Sequence, residues 1–327
     1  MVRLLALLVL AGGSLQAQTI TETFGSGTNQ FSIDFVTIGN PGNAADEGRY
    51  ARYGETYFAG SVDYIYRLGK LEISREMIER ANNIGSLGIT LANLDSYGGI
   101  SGGNIPTRAA TGISWNEAAK FVNWLNISKR YQAAYNFTTS GPNDNATLWS
   151  FGQYSSNNQY RHKDAFYFLP SRDEWYKGSY FDPNKAGGSG YWDFPTGSDI
   201  APTPVSNGRD AGTAVYADQP GPADIDNAGG LSPYGTMGQG GNVYEWTESA
   251  WDGVNNLSGE DRELRGGAWK SVGVYSDSLD AAYRTFLEPS NEFLFGGFRI
   301  ATVPEPTSLS LLVLGGVAMA FGRRKRS

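Results

Sequence analysis

Between Asp182 and Ser232 the chain is dominated by glycine, asparagine and proline, with no sustained apolar period. A connection of that length inside a folded domain is either functional or packed upon itself. It confines the regular elements to the remaining segments and points to one domain built largely from loops. The 43 glycines supply the turns, and an aromatic content of 13% supplies rings to fill the spaces between them. Disordered chains are poor in aromatics, so the sequence describes a folded domain.

The periodic segments are few. "FSIDFVTI" (Phe31–Ile38) and "AFYFL" (Ala165–Leu169) read as strands. "ISREMIERANNIG" predicts a helix capped by Ser74, with Met77, Ile78, Ala81 and Ile84 along its apolar face. "GISWNEAAKFVNWLN" predicts a second, opened by a Ser114-x-x-Glu117 capping box and packed through Ala118, Phe121, Val122 and Leu125. "LPSRDEWYKGSYFDP" repeats the device with Ser171 and Glu174, Pro170 ending the strand before it.

Composition removes several chemistries. The chain has no cysteine, hence no disulfide, thiolate metal site or thiol nucleophile. Its one histidine, His162, is too few for a zinc or non-haem iron centre, and its setting among charges at a strand entrance reads as surface. A net charge of −7, without a basic stripe ahead of the last residues, argues against nucleic acid as a partner. Gly99–Gly103 matches G-x-S-x-G around Ser101, but Pro106 forbids the helix a nucleophile elbow requires. Carboxylates suited to glycoside hydrolysis are plentiful, and no pair is singled out.

Both ends read as addresses. Residues 1–17, "MVRLLALLVLAGGSLQA", have the basic start, apolar run and small residues of a secretory leader. Residues 304–327 carry Pro304-Glu305-Pro306, an apolar run from Leu309 to Phe321, and Arg323, Arg324, Lys325 and Arg326. These three parts in order resemble the PEP-CTERM sorting tail. The run is shorter than the ~17–25 residues that span a bilayer, which suits a transient anchor, and the basic end favours the cytoplasmic side. The resemblance implies processing by an exosortase, export across the inner membrane, and a final place at the cell surface or outside it.

Residues 18–303 contain six motifs in sequence: Tyr66–Met77, Gly112–Asn126, Phe168–Tyr180, "YGTMGQGGNVYEWTES" (Tyr234–Ser249), "LRGGAWKS" (Leu264–Ser271) and "GGFRIA" (Gly296–Ala301). Together they resemble the formylglycine-generating enzyme and sulfatase-modifying factor family. The resemblance implies an α+β domain of C-type-lectin-like fold with little regular structure, in which Trp115, Trp124, Trp175, Tyr244, Trp246 and Trp269 are core rings. It also implies a calcium ion held by the carbonyls of Gly241 and Val243 and the side chain of Glu245, oxygen ligands of the kind calcium takes. At the position where the family places an Asp or Asn ligand this chain has Gly238, so the site would be weak and an Asp there would strengthen it. The alternative for Glu245 is a buried acid satisfied by backbone N–H groups or an arginine such as Arg265. A second family calcium site has only Asp224 and Asp226 nearby.

Catalytic members of the family hold copper(I) on two cysteines. Those positions fall here on Ser271 and Ser276, and a serine hydroxyl neither binds a soft ion nor cycles through a disulfide. The expectation is therefore an exported, non-catalytic binding or structural module, partnered by extracellular polysaccharide or an envelope protein. The alternative is a formylglycine-type oxidoreductase acting on protein or small molecules. Tyr191, Trp192, Phe194 and Trp251, rings outside the family motifs among Gly, Asp and Asn, mark a candidate ligand face.

Overall fold

The computed structural model describes residues 19–304 except 51–55, 97–102, 140, 142–143, 156–157 and 272–274; the side chains of 48–50, 56–57, 275 and 276 are likewise not described. The leader, the tail beyond Pro304 and Ser101 lie outside the described residues. In chain order the strands of the two larger sheets are β1 (Thr19–Phe24), β2 (Phe31–Ile38), β3 (Tyr66–Gly69), β4 (Tyr167–Phe168), β5 (Tyr244–Ala250), β6 (Arg262–Arg265), β7 (Thr285–Leu287), β8 (Gly296–Gly297) and β9 (Ala301–Thr302). The first sheet has the order β1-β2-β3-β9-β4 and the second β7-β6-β5-β8. Helices α1 (Arg75–Gly85), α2 (Trp115–Ser128) and α3 (Arg172–Tyr180) complete an α+β architecture with few regular elements.

All three helices start where local chemistry dictates. Ser74 accepts a hydrogen bond from the Met77 amide, and both expected capping boxes form, at Ser114/Glu117 and at Ser171/Glu174. Each box satisfies two N–H groups that a helix start leaves unpaired. The apolar face of α2 is buried as its period requires. In α1, Ile78 and Ala81 are buried, but Ile84 stays 43% exposed. It sits beside Trp124 and Ile127 in an open cleft of about 440 Å³ between the β1–β2 hairpin and the helix ends.

Register fixes how the chain enters and leaves. Thr19 pairs with Val36, Val36 with Leu68, and Leu68 with Ala301. Because β1 runs antiparallel to β2 and β9 runs in the direction of β2, the chain enters and exits this sheet at the same end. β9 is bonded on both sides, to β3 and β4, so the sorting tail leaves from an interior strand. Residues after Gly69 leave β3 at the opposite end, where Arg299 donates to the Gly69 carbonyl at 2.8 Å.

The long connection is packed upon itself. Phe194, Ala214 and Tyr216 form a buried cluster with Leu279, and Thr203–Pro204 pairs with Thr213–Ala214. Trp115, Trp175, Trp246 and Trp269 are fully buried, Trp124 nearly so, and Tyr244 half-buried. Two indoles lock α2 to the second sheet: Trp115 donates to the Thr247 carbonyl at 2.9 Å, and Trp246 to that of Ile113 at 2.8 Å.

Candidate functional site

Gly240–Thr247 makes a sharp turn into β5. Gly241 has φ +86°, and a Cβ there would lie 2.3 Å from the Val215 carbonyl oxygen, so only glycine fits. Asn242 follows in the left-handed region at φ 59°, a conformation asparagine tolerates. Its amide oxygen accepts from the Ala223 N–H at 2.7 Å, and its NH2 donates to Glu72.

Glu245 is fully buried, and its carboxylate is held by side-chain donors. Arg299, from the Gly-Phe-Arg motif, donates from Nε to Oε2 at 2.6 Å and from Nη2 to Oε1 at 2.5 Å. The Trp175 indole adds a third donor to Oε2 at 2.6 Å. This is a two-pronged pair of the strong kind. Its cation is Arg299 and not the Arg265 suggested by sequence, although Arg265 stands directly across from Glu245 in register. Arg265 turns to Glu263 at 2.7 Å and to the carbonyls of Ala281 and Tyr283. With both Glu245 oxygens engaged and a guanidinium in place, the residues at Gly241, Val243 and Glu245 do not fit a calcium ion. Among the described residues no group of three His, Cys, Asp or Glu side chains is arranged for a metal.

The space beside Gly238 is taken by a carboxylate from elsewhere in the chain. Glu72, fully buried, places its carboxylate against Gly238, where a Cβ would lie 2.8 Å from the carboxyl carbon. Gly238 also has φ +78°, so an Asp there meets both strain and a second carboxylate, and the strengthening expected from that substitution is withdrawn. Glu72 itself was missed by sequence reasoning; an acid between Leu71 and Ile73 was the available signal. Burial, with Glu245 beside it, pushes the Glu72 carboxyl well above the ordinary range, against the pull of Arg299 and Asn242. Its Oε1 has no hydrogen-bond partner.

At the first replaced thiol position Ser271 is buried and its hydroxyl is fully used. Oγ donates to the Ala268 carbonyl at 2.9 Å while accepting from the Ala268 N–H at 3.1 Å and the Ser278 hydroxyl at 2.9 Å. A hydroxyl has one proton and two lone pairs, so nothing is left over. Ser276 lies in the short helical turn Tyr275–Leu279, and its side chain is outside the described set; the hydroxyl that reaches Ser271 is that of Ser278.

Other sequence candidates disperse. Tyr191 packs on Tyr176 and Phe181 and accepts from Asn43 at 2.6 Å. Trp192 lies under the Lys185 ammonium and donates to Asp182, while Phe194 is buried. Trp251 packs elsewhere, against Phe286 and under Arg284. The four rings thus serve separate contacts and not one face. His162 is buried, contrary to its surface reading, because its ring stands edge-on to Trp149 at 4.7 Å, and burial lowers its pKa. Glu174 and Glu248 are drawn together as well, but Arg161 lies between them and pairs with both. An arginine in that position makes the pair a structural clamp.

Fold and site together define a loop-rich α+β domain whose glycine turns are held by buried ion pairs and which contains no cysteine. The chain belongs to the family described as sulfatase-modifying factor enzyme 1-like domain, matched over residues 100–303. A PEP-CTERM protein-sorting motif is matched over residues 302–326, which implies export and exosortase processing. Among solved structures, Treponema denticola variable protein 1 is similar at 18% identity and TM-score 0.55, covering 87% of this chain and 99% of its own. PvdO from Pseudomonas aeruginosa is similar at 15% identity and TM-score 0.48, covering 86% and 98%, and CarF at 14% and 0.49, covering 84% and 99%. No curated protein matches.

Proposed function

We propose that this is an exported, non-catalytic member of its family that acts as a binding or structural module of the cell envelope or its surroundings. The observation that carries the reading is Ser271. The residue at the first thiol position is a hydroxyl closed into a turn by Ala268 and Ser278, with no lone pair for a metal. Activating it would need an adjacent base, whereas His162 is occupied with Trp149 and Asp164. Copper(I) chemistry needs soft ligands, which a cysteine-free chain cannot offer.

The sheet register adds a geometry for display. The tail leaves at the end where the described chain begins, while Glu72, Glu245 and Arg299 lie beyond the other end. While the tail anchors the chain, the motif turns are carried away from the anchored end. The test is mass spectrometry of a sulfatase-type cysteine peptide incubated with the protein, with and without copper and oxygen. The expected result is no aldehyde; aldehyde above a no-protein control would overturn the reading.

A further inference from the structure

On the long connection, an open cavity of about 550 Å³ is lined by Arg108, Asp224, Asn207 and Asn227, with Ile105 and Pro222 among its apolar surfaces. That volume is within the ~300–1,000 Å³ range of small-molecule sites. We infer that it is a binding site for a sugar acid, a hydroxyl-rich ligand bearing one carboxylate. The inference gives the binding-module reading a ligand class and rests on it.

The cavity is built by fixed backbone. The Arg75 and Glu76 amides at the start of α1 donate to the carbonyls of Arg108 and Pro106, both at 2.9 Å. Across the cavity, Ile225 donates to the Thr107 carbonyl at 3.0 Å, and Gly208 to that of Asn227 at 2.9 Å. The Ala223 amide is held by Asn242, which ties this wall to the Gly240–Thr247 turn. A loop so pinned presents its side chains without first having to be ordered, which favours binding.

Arg108 is the chemical lead. Its Nη1 is buried without a hydrogen-bond partner, and it forms no ion pair with any described residue, Asp224 on the same cavity included. A guanidinium carries five donors in a fork that fits a carboxylate. Arg108 lines the cavity, so the donors of that fork that are not buried are what it offers to an anion. Asp224 has one oxygen occupied by the Thr107 hydroxyl at 2.8 Å and still faces the cavity. A second carboxylate this close disfavours a doubly charged phosphate ester but accepts hydrogen bonds from sugar hydroxyls. The amides of Asn207 and Asn227 offer donors and acceptors for further hydroxyls, and Ile105, 41% exposed, offers an apolar surface for a ring face. One cation, one anion, two amides and an apolar wall match a singly charged sugar acid better than a neutral lipid or a polyanion.

The test is calorimetry of the full-length chain in mild detergent against three probes: galacturonic acid, uncharged galactose, and galactose 6-phosphate. Galacturonic acid should bind at least about tenfold more tightly than either other probe, since a hydrogen bond to a charged group contributes about 1.5–3 kcal/mol. Arg108→Gln should weaken it at least about tenfold with an unchanged melting temperature, because the guanidinium makes no ion pair with a described residue. Asp224→Asn should narrow the gap between galacturonic acid and the phosphate. No binding of galacturonic acid at millimolar concentration would overturn the inference, and so would equal binding by the wild type and Arg108→Gln. In the latter case a sugar would still be bound elsewhere, and the binding-module reading would survive.

Discussion

Replacing Arg299 by methionine removes the one cation among the described residues that contacts Glu245. The side chain is fully buried and donates to both Glu245 oxygens, and also to the carbonyls of Gly69 and Met237, each at 2.8 Å. Methionine keeps much of the volume, so the cost is electrostatic. It leaves Glu245 with the Trp175 donor alone, beside the buried Glu72. Breaking a buried ion pair from one side costs about 3–5 kcal/mol, and two carbonyls left without donors put the expected loss at the upper end of that range. Against a total stability of ~5–15 kcal/mol, the variant should fold but unfold at a clearly lower urea concentration. Adding Glu245→Gln should recover part of the loss, because the amide still accepts from Trp175 and no charge remains uncompensated. Urea titrations followed by tryptophan fluorescence measure all three variants. A cost under ~1 kcal/mol for Arg299→Met, or a double variant whose cost is the sum of the two single ones, would refute the account of Glu245 as an arginine-held buried acid.

Glu72 predicts an unusual pH slope. Its carboxyl is raised in the folded chain by burial and by Glu245, so its contribution is full below the unfolded value of about 4.3 and is lost as pH rises through the folded one. Glu72→Gln should therefore match the wild type near pH 4 and exceed it at pH 7; equal stability at both would remove the argument. Gly238→Asp should destabilise the fold by more than ~1 kcal/mol through its positive φ and its contact with Glu72, and millimolar calcium should not rescue it. A calcium-dependent rise in melting temperature, in that variant or in the wild type, would reopen the metal reading. Deleting Pro304–Ser327 should leave the melting temperature unchanged, whereas deletion from Ala301 removes β9 from between β3 and β4 and should prevent folding. A tail deletion that costs several degrees would show the tail packing on the domain.

Much of this molecule is legible locally. Ser114 with Glu117 and Ser171 with Glu174 announce two helices because a capping box closes over three residues, with no need of the rest of the chain. The period of Ala118, Phe121, Val122 and Leu125 states which face of α2 is buried. Cysteine's absence excludes thiolate chemistry in any fold, and the order of the six glycine-bearing motifs is enough to place the family.

Tertiary structure decided the partners. Glu245 meets Arg299 and not its cross-strand neighbour Arg265, because the Gly-Phe-Arg segment returns beside β5 as a parallel strand. Glu72 fills the space at Gly238 and bonds Asn242, which lies 170 residues away in sequence. Tyr191, Trp192, Phe194 and Trp251 look alike in composition, yet the loops carry them to separate neighbours. Arg108 has no distinguishing sequence context, and only the cavity formed with residues beyond Val205 gives it a role. The reason is the same in each case: caps and periods are set by residues a turn apart, whereas a buried charge is paired by whichever distant loop the closed fold brings within about 3 Å of it.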